Sequence, residues 1–338
     1  MKNYPTTKSL HQWTRREWLG TVAATAFTGL SATGLHAQDN YPNKPVTLIV
    51  PYPPGGNNDI VARAYATPLS KAIGQPVVVE NKGGAAGAFG VGQAAKAAPD
   101  GYNMVIGDLG SLCINPIANP SLAYSTLRDF TPISTIASVS IVITGRKDLP
   151  ANNLRELLNQ AKSNPGKFRC GTAGPGSIGH LSLEMIKSMT GVDILHVPYK
   201  GGAPALQDLL GGRVAAYFST YSTSQAYIDN GKLIPLASTG AQRLKQLPKI
   251  PTVAESGYPG FSATNWYAFV ASSKVPVPIL DRWNTELVKV LKSPDVVEQL
   301  NSHGLTPQPS TRDELAKYIA KESATWGRVI RERKITGE

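Results

Sequence analysis

The chain has 338 residues, of which 41% are hydrophobic and 17% are charged, and its formal net charge is +11. This length and composition exclude a disordered chain and a single small domain, and they favour one or two globular α/β domains. The positive charges are scattered, and no basic stripe interleaved with aromatic residues points to a nucleic-acid partner.

The first 37 residues have the pattern of an export signal. Arg15 and Arg16 lie in TRREWLG, an uncharged stretch runs from Leu19 to Leu35, and LHA precedes Gln38. This order is typical of a secretory signal, and the paired arginines indicate the twin-arginine type. An uncleaved membrane anchor is the alternative, although the apolar stretch is short. Residues 1–37 carry a net charge of +3, which leaves +8 for a mature chain expected in the periplasm.

Strand-like and helix-like segments alternate after this signal. The predicted strands are segments 46–50, 76–80, 103–106, 130–144, 167–170, 193–197, 213–218, 233–237 and 265–270. The clearest predicted helices are segments 59–73, 154–161, 178–189, 203–210 and 222–229. From Pro276 onward the chain is expected to be nearly all helical, with breaks at Pro294 and Gly304 and a capping box formed by Thr311 and Glu314. Pro68 lies inside the first helix and predicts a kink or break near Ala66.

The alternation predicts mainly parallel sheets with helices on both faces, in which ligands bind at the carboxyl ends of the strands. The extended segments 130–144 and 265–270 are expected to cross between two lobes. After the signal peptide at 1–37, lobe 1 is predicted to be discontinuous, with residues 38–140 plus 263–338. Lobe 2 is predicted to comprise residues 141–262.

A first candidate anion site follows the strand 46–50, in the sequence YPPGGNND. A strand, a glycine turn and a helix start leave backbone N–H groups unpaired at the positive end of a helix dipole, which favours a bound anion. The amides of Asn57 and Asn58 can donate to a carboxylate. Asp59 would repel an anion, and its expected role is to stabilise the helix start by pairing with Arg63.

A second candidate anion site lies at Cys170–His180, in the sequence CGTAGPGSIGH. A strand again runs into glycines and opens a helix at Ile178. Ser177 is a natural N-cap, and capping is compatible with ligand contact because the free N–H groups lie beside its hydroxyl. His180 is expected to donate to the ligand from the first helical turn or to be a packed residue.

The same loop allows enzymatic interpretations. Gly174–Gly179 matches the dinucleotide fingerprint, but the following strand opens with Asp193 and has no acid at its end, which disfavours NAD. Ser177 misses the nucleophile elbow because Pro175 stands where glycine is required, so an exported serine hydrolase using Ser177 and His180 is kept as the rival hypothesis. Metal-protease, C-x-x-C and Walker A motifs do not occur in the sequence, and no cofactor is predicted.

Three further features allow two interpretations each. The glycine-rich turn Glu80–Gly92 favours close packing over ligand contact. Trp266 and Tyr267 either line a cleft or pack in the core. Cys113 and Cys170 can pair in an oxidising compartment or stay as two buried thiols.

Several segments taken together resemble one family. They are YPNKPVTLIVPYPPGGNNDIVAR, VVVENKGGAAGAFG, APDGYNM, FTPISTIASV, HVPYKGGAPALQDLLGGRV and LPKIPTVAESGYPGF, and they occur in this order in the Bug receptors, the substrate-binding proteins of tripartite tricarboxylate transporters. The resemblance covers essentially the whole mature chain. It implies an α/β, two-lobed type II periplasmic binding protein of the Venus flytrap kind, with a ligand cleft between the lobes and two extended hinge crossings.

The resemblance also implies that two loops, Pro53–Asp59 and Thr172–His180, grip one carboxylate, partly through water. The candidate ligand-binding residues are Tyr52, Pro54, Gly55, Gly56, Asn57, Asn58, Asp59, Thr172, Ala173, Gly174, Ser177 and His180. The chain departs from the family at Asn57-Asn58, where a small hydroxyl pair such as Ser-Thr is usual. This departure bears on which carboxylate is bound.

The leading hypothesis is therefore a monomeric, non-catalytic periplasmic receptor. It would capture a small organic mono- or dicarboxylate, aliphatic or aromatic, and deliver it to the membrane subunits of a tripartite tricarboxylate transporter. The alternatives are the serine hydrolase described above and a carboxylate sensor for a signalling partner.

Overall fold

The structure is a computed structural model that describes residues 41–119, 121–199 and 202–335. The chain divides into two compact units, Met1–Asn43 and Lys44–Glu338. Only residues 41–43 of the first unit are described, and the export signal predicted for residues 1–37 lies outside the described residues. All elements below belong to the second unit.

The second unit contains ten strands and eleven α-helices in its described residues. The strands are β1 Val46–Val50, β2 Val77–Asn81, β3 Asn103–Asp108, β4 Phe130–Arg146, β5 Arg169–Thr172, β6 Leu195–Pro198, β7 Ala216–Thr220, β8 Leu233–Ser238, β9 Thr264–Ser272 and β10 Thr306–Pro307. The helices are α1 Asn57–Ile73, α2 Ala88–Ala95, α3 Asn115–Ala118, α4 Thr126–Asp129, α5 Leu154–Ser163, α6 Ile178–Thr190, α7 Gly202–Leu210, α8 Tyr221–Asp229, α9 Val277–Leu291, α10 Pro294–Ser302 and α11 Arg312–Glu332. Every strand and helix named in the sequence analysis is present, and their ends differ by up to three residues.

The strands follow the order β2-β1-β3-β9-β4-β7-β5-β6, and both β8 and β10 also pair with β4. The pairs β1–β2, β1–β3, β5–β6 and β5–β7 are parallel, as the alternation of strands and helices predicts. All pairs that involve β4 or β9 are antiparallel. The parallel strands therefore form two groups, which the antiparallel strands β4 and β9 separate.

Strand β4 belongs to both groups. Its first part, from Phe130 to Ser140, pairs with β9, and its last part, from Ile141 to Arg146, pairs with β7 and β8. The register shifts twice along the pairing with β9 and once along the pairing with β8, which marks β-bulges. Bulges bend and twist a strand, so β4 can follow two differently oriented sheets without ending.

Helix α1 runs without a break from Asn57 to Ile73, through Pro68. Of the kink or break predicted near Ala66, the break is therefore wrong, and the kink stays a prediction. A proline inside a helix removes one hydrogen bond, but Tyr65, Leu69 and Ile73 on the same helix are buried in the core. Burial of such side chains stabilises by roughly 1.5–3 kcal/mol each, enough to hold the helix through Pro68.

The last third of the chain is helical, as predicted. Thr311 and Glu314 form the expected capping box, since the Glu314 N–H donates to the Thr311 hydroxyl and the Glu314 carboxylate accepts from the Thr311 N–H. Helix α10 begins at Pro294, and Gly304 follows its end with a φ of 71°. Among the described residues, no helix is both long and apolar enough to cross a membrane.

Cys113 and Cys170 are both buried and free. Burial raises the pKa of both thiols to about 12. The reading of the two cysteines as buried thiols is confirmed, and both are unreactive at neutral pH.

Candidate functional site

The loop between β1 and α1 is fixed by Asp59. The N–H of Gly55, whose φ is 85°, donates to Asp59 Oδ2 at 2.9 Å, so the glycine turn closes onto the carboxylate of the helix it precedes. Arg63 Nε lies 3.0 Å from both carboxylate oxygens, and the Asn81 amide donates to Oδ1 at 3.1 Å. The predicted Asp59–Arg63 pair is confirmed.

The carboxylate of Asp59 is 5% exposed and ionised. Burial by itself favours its neutral form, but the hydrogen bonds from Arg63, Gly55 and Asn81 outweigh burial and lower its pKa. Its oxygens are occupied by protein donors. Asp59 therefore shapes the loop, and its ligand contact stays a prediction.

A second network joins the start of α1 to the end of β3. Asp108, the last residue of β3, accepts from the Tyr52 hydroxyl at 2.9 Å and from the N–H and hydroxyl of Ser111 at 2.9 and 2.7 Å. The Asn58 amide nitrogen lies 3.5 Å from the other oxygen of Asp108, at the outer limit for a hydrogen bond. Burial, together with the negative charge of Asp108, raises the pKa of Tyr52 well above its ordinary value. Tyr52 is thus a neutral donor at this point.

The second predicted loop lies between β5 and α6, and Ser177 caps the helix as predicted. Its hydroxyl accepts from the His180 N–H at 3.3 Å and donates to the Gly174 carbonyl at 2.7 Å. Gly174 and Gly176 have φ values of 134° and 68°, which L side chains rarely adopt. These two glycines allow the tight turn that joins β5 to α6. The N–H of Ile178 has no intrahelical acceptor, as at any helix start.

His180 lies behind this loop and is packed. Its ring stacks on His196 with centroids 3.9 Å apart, and its Nδ1 accepts from the Gly176 N–H at 3.1 Å. His196 Nε2 lies 2.6 Å from the Thr172 hydroxyl. The two rings therefore hold both ends of the loop. The sequence allowed His180 to be either a donor to the ligand or a packed residue, and in the structure it is packed.

Both imidazoles are neutral at pH 7. Burial lowers the pKa of His180, and burial together with the neighbouring His180 lowers the pKa of His196 to about 4. Glu184 faces the pair and would favour its protonation, but Lys187 and Arg333 each form an ion pair with Glu184 at 2.7 Å. The negative charge near the histidines is thereby balanced.

A cavity of about 340 Å³ lies between the loops of the two strand groups, a size suited to a small molecule. Its walls come from the loops that follow β1, β2, β3 and β5 and from the start of β9. The lining residues are Tyr52, Ala85, Ala88, Asp108, Leu109, Gly110, Ile114, Asn115, Ala118, Asn119, Leu122, Ala173, Pro175, Gly176, Ser177, Ile178 and Asn265. No basic side chain occurs among these described lining residues, and Asp108 carries the one charge.

Three of the twelve predicted ligand-binding residues, Tyr52, Ala173 and Ser177, line this cavity. The other nine flank it in the same two loops or behind them. They are Pro54, Gly55, Gly56, Asn57, Asn58, Asp59, Thr172, Gly174 and His180. The predicted residues thus mostly hold the loops in shape, and ligand contact by these nine stays a prediction.

The largest group missed by the sequence analysis is the segment after β3, from Asp108 to Leu122. The rule that ligands bind at the carboxyl ends of strands would have pointed to Asp108, which directly ends a buried strand. The turn Glu80–Gly92, for which packing was favoured, contributes Ala85 and Ala88 to the cavity. Trp266 and Tyr267 are core residues with at most 1% exposure, whereas the preceding Asn265 lines the cavity.

Comparison with known proteins identifies the family. The family model for the tripartite tricarboxylate transporter family receptor matches residues 61–335. The chain belongs to this family. BugT of Bordetella pertussis is 37% identical to it over 295 residues, which are 87% of this chain and 90% of BugT. Members of the family are periplasmic solute-binding proteins, and the predicted Bug resemblance is confirmed.

Two solved structures match this receptor closely. An R. palustris protein with adipate is 34% identical, with a TM-score of 0.78, and the match covers 88% of this chain and 99% of that protein. MatC of Rhodopseudomonas palustris with bound malate is 30% identical, with a TM-score of 0.73, and the match covers 86% of this chain and 100% of MatC. The two-lobed type II periplasmic binding fold predicted from the sequence is thus the fold of this chain.

Replacement of Asp59 by Ala is expected to destabilise the receptor by about 2–3 kcal/mol, because Gly55 and Asn81 would lose a buried hydrogen-bond acceptor. Urea unfolding measures the change. As a control, Arg63→Gln alters only the exposed partner of the pair and should change the free energy of unfolding by less than about 1 kcal/mol. An Asp59→Ala variant as stable as the parent would contradict the role given to this carboxylate.

Stability is expected to fall as the pH drops from about 6.5 towards 4. The two histidines are neutral in the folded protein, whereas unfolding restores their ordinary pKa near 6.5, so the unfolded chain binds more protons in this window. In His196→Gln, the unfolded chain binds up to about one proton fewer in this window. The slope of the free energy of unfolding against pH should therefore fall by at most about 1.4 kcal/mol per pH unit. Thermal unfolding at pH 7, 6 and 5 should therefore show a weaker pH dependence for His196→Gln than for the parent. His303→Gln, which replaces a partly exposed histidine outside this pair, serves as the control.

Proposed function

We propose that this protein is a non-catalytic periplasmic receptor that encloses a small organic carboxylate in the 340 Å³ cavity and presents it to a tripartite tricarboxylate transporter. The observation that carries the proposal is the position of the cavity. The loop that opens α6 forms one wall, and the loops after β1 and β3 form the opposite wall. Two structural neighbours with adipate and malate support a carboxylate ligand.

The proposed lobes are residues 38–140 plus 263–338 and residues 141–262. The pairing of β4 supports this division, because its partner changes from β9 to β7 and β8 between Ser140 and Ile141. The chain returns from lobe 2 to lobe 1 at Ala263, just before β9. This crossing is held by Thr239, whose hydroxyl donates to the Ala263 carbonyl at 2.6 Å. With walls from both lobes, a ligand in the cavity couples binding to lobe closure, and the transporter recognises the closed form.

The grip on the carboxylate is assigned to backbone N–H groups and neutral side chains, since the described cavity wall has no basic residue. One helix terminus contributes roughly 0.3–1 kcal/mol for an exposed charge and up to about 2 when partly buried. Micromolar binding requires about 8 kcal/mol. The start of α6 therefore supplies a minor share. Hydrogen bonds from the amides of Asn115 and Asn265, together with exclusion of water on closure, supply the rest.

The contacts of Ser177 argue against the rival hydrolase. Its hydroxyl donates to the Gly174 carbonyl, and His180 Nδ1 is occupied by the Gly176 N–H. A nucleophilic serine instead donates to a histidine that accepts its proton. We therefore assign Ser177 to capping and ligand contact.

Export through the twin-arginine signal and a monomeric state complete the proposal. The arginine pair at 15–16 supports the twin-arginine signal, and a cavity lined by a single chain supports a receptor that works as a monomer. Transport is preferred over signalling because the family is that of transporter receptors.

Carboxylate binding is expected to raise the melting temperature of the ligand-free receptor. Saturating ligand stabilises by RT ln(1 + [L]/Kd), about 2.7 kcal/mol at a hundredfold excess over Kd. A thermal-shift screen of aliphatic and aromatic mono- and dicarboxylates measures this. The receptor should be unfolded and refolded beforehand to remove copurified ligand. If no carboxylate shifts the melting temperature, the anion assignment is wrong.

Ala173→Asp and Ala173→Asn form a matched pair for the same site. Ala173 is exposed and lines the cavity, so both substitutions should leave the fold intact. The Asp variant places a negative charge beside the start of α6 and is expected to weaken carboxylate binding at least tenfold more than the Asn variant of the same size. Isothermal titration calorimetry with the best ligand from the screen gives both Kd values. Equal Kd values would contradict anion binding at this loop.

No turnover of model esters is expected from the parent. The measurement is the release of chromophore from short-chain nitrophenyl esters, compared with buffer alone. Turnover that disappears in Ser177→Ala would overturn the receptor assignment in favour of the hydrolase.

A further inference from the structure

The charge of Asp108 is the least expected feature of a cavity that takes an anion. Asp108 is 6% exposed, ends β3 and lines the cavity, where it is the one charged side chain among the described lining residues. A ligand carboxylate placed beside it would meet a like charge in a poorly solvated space, where repulsion is stronger than in water. The ligand's carboxylate is therefore directed towards the opposite wall, at Ala173–Ile178.

The two oxygens of Asp108 differ in how well they are bonded. Oδ1 accepts three hydrogen bonds, from the Tyr52 hydroxyl and from the N–H and hydroxyl of Ser111. Among the described residues, the contact recorded for Oδ2 is the Asn58 amide nitrogen, at 3.5 Å. All of these groups are donors, which suits a carboxylate, and one of its oxygens still has capacity for a stronger donor.

Asn58 contacts Asp108 and carries a buried acceptor of its own. Its side chain is 7% exposed, and its Oδ1 has no hydrogen-bond partner among the described residues. Its amide nitrogen is oriented towards Asp108, so the amide cannot be rotated to offer a donor elsewhere without bringing two oxygens together. A buried acceptor without a partner costs roughly as much as a lost hydrogen bond. Asp108 Oδ2, in the cavity wall, is therefore the acceptor that an incoming donor would satisfy, and Asn58, which is not a lining residue, contacts it through the amide nitrogen.

We propose that Asp108, supported by Asn58, is a specificity-determining residue that selects carboxylates bearing an additional hydrogen-bond donor, an ammonium or a hydroxyl group. The proposal rests on the proposed function, because it assigns the other end of the same ligand. The ligand's carboxylate lies at the start of α6, and its N–H or O–H group donates to Asp108 Oδ2. A site built around a substrate donor discriminates strongly against the analogue that lacks it, because the site's buried acceptors are then left unpaired.

Matched ligand trios test the proposal, each trio sharing a carbon skeleton and differing at one carbon by hydrogen, hydroxyl or ammonium. Suitable trios are propionate, lactate and alanine; succinate, malate and aspartate; and glutarate, 2-hydroxyglutarate and glutamate. Calorimetric Kd values for the parent should favour at least one donor-bearing member over the plain acid by tenfold or more. A preference for the ammonium or for the hydroxyl identifies which donor is used. Plain acids that bind as tightly as both of their substituted partners would overturn the proposal.

Asp108→Asn and Ser111→Ala separate specificity from support of the loop. Asp108→Asn keeps the size of the side chain but removes its charge, and the ratio of Kd values between the plain and the donor-bearing acids should fall to about threefold or less. Ser111→Ala removes the hydrogen bonds between the Ser111 hydroxyl and Asp108 but keeps the charge of Asp108, so it should weaken all members of a trio by similar factors. Equal weakening of all three members by Asp108→Asn would assign Asp108 a structural role only and overturn the proposal.

A measurement on the parent alone covers the case in which Asp108→Asn does not fold. Methoxysuccinate keeps the oxygen of malate but has no donor at that position, so it should bind at least tenfold more weakly than malate if the C4 trio is the one bound. For another skeleton, the O-methyl ether of its hydroxy acid takes this role. Equal binding of the ether and the hydroxy acid would overturn the proposal. If no carboxylate binds at all, the proposed function fails; if plain acids alone bind, only the role of Asp108 fails.

Discussion

The hydrogen bonding of strand β4 is the constraint on which the rest of the structure depends. Seventeen residues run as one strand, of which the first part is bonded to β9 and β10 and the last to β7 and β8. A backbone that is paired on both sides cannot shift relative to its neighbours without breaking many hydrogen bonds. The loops after β1 and β3 on one side and after β5 on the other are therefore brought to face each other by one continuous element. The cavity is a consequence of this shared strand, because its walls come from loops far apart in sequence.

Sequence reasoning succeeded where a local physical rule determines the structure. The β-branched run at Val46–Val50, the cap at Ser177 and the capping box of Thr311 and Glu314 depend on residues within a few positions of each other, and all three occur as predicted. It failed where packing overrides a local rule, as at Pro68, where buried side chains keep α1 continuous. Asp108 was missed because the predicted strand ended at residue 106, two residues before the end of β3. Asn265 was missed for another reason. It reaches the cavity through the sheet order, in which β9 enters beside β3 after more than 150 intervening residues, and no local pattern encodes that neighbour.

The charge of the chain and the charge of its site differ in sign. The residues after the predicted signal carry a formal net charge of +8, yet the described wall of the cavity has one carboxylate and no basic side chain. The net positive charge thus acts at long range, where it attracts anions to the surface and is weakened by salt. In the proposed site, selection is expected to depend on hydrogen-bond geometry. A site without a strong cation binds any one carboxylate less tightly, but it distinguishes carboxylates by their other groups, which suits a receptor that must also release its ligand.

Most buried ionisable residues near the site hold a loop in place, and one of them also lines the cavity. Asp59 binds the backbone of the first loop, and the stacked His180 and His196 contact the second loop on the side away from the cavity. Their hydrogen bonds are therefore made to the protein and do not point into the cavity. Residues that fix a loop from behind preorganise it, and preorganised donors need no ordering when the ligand arrives. Asp108 is the exception, since it both holds Tyr52 and Ser111 and faces the cavity. A change at this position therefore alters the shape of the wall and its charge together, whereas a change at Ala173 is expected to alter only the surface of the proposed site. Ligand preference in this fold is accordingly easiest to vary at the lining residues that hold nothing else in place, and hardest to vary at Asp108.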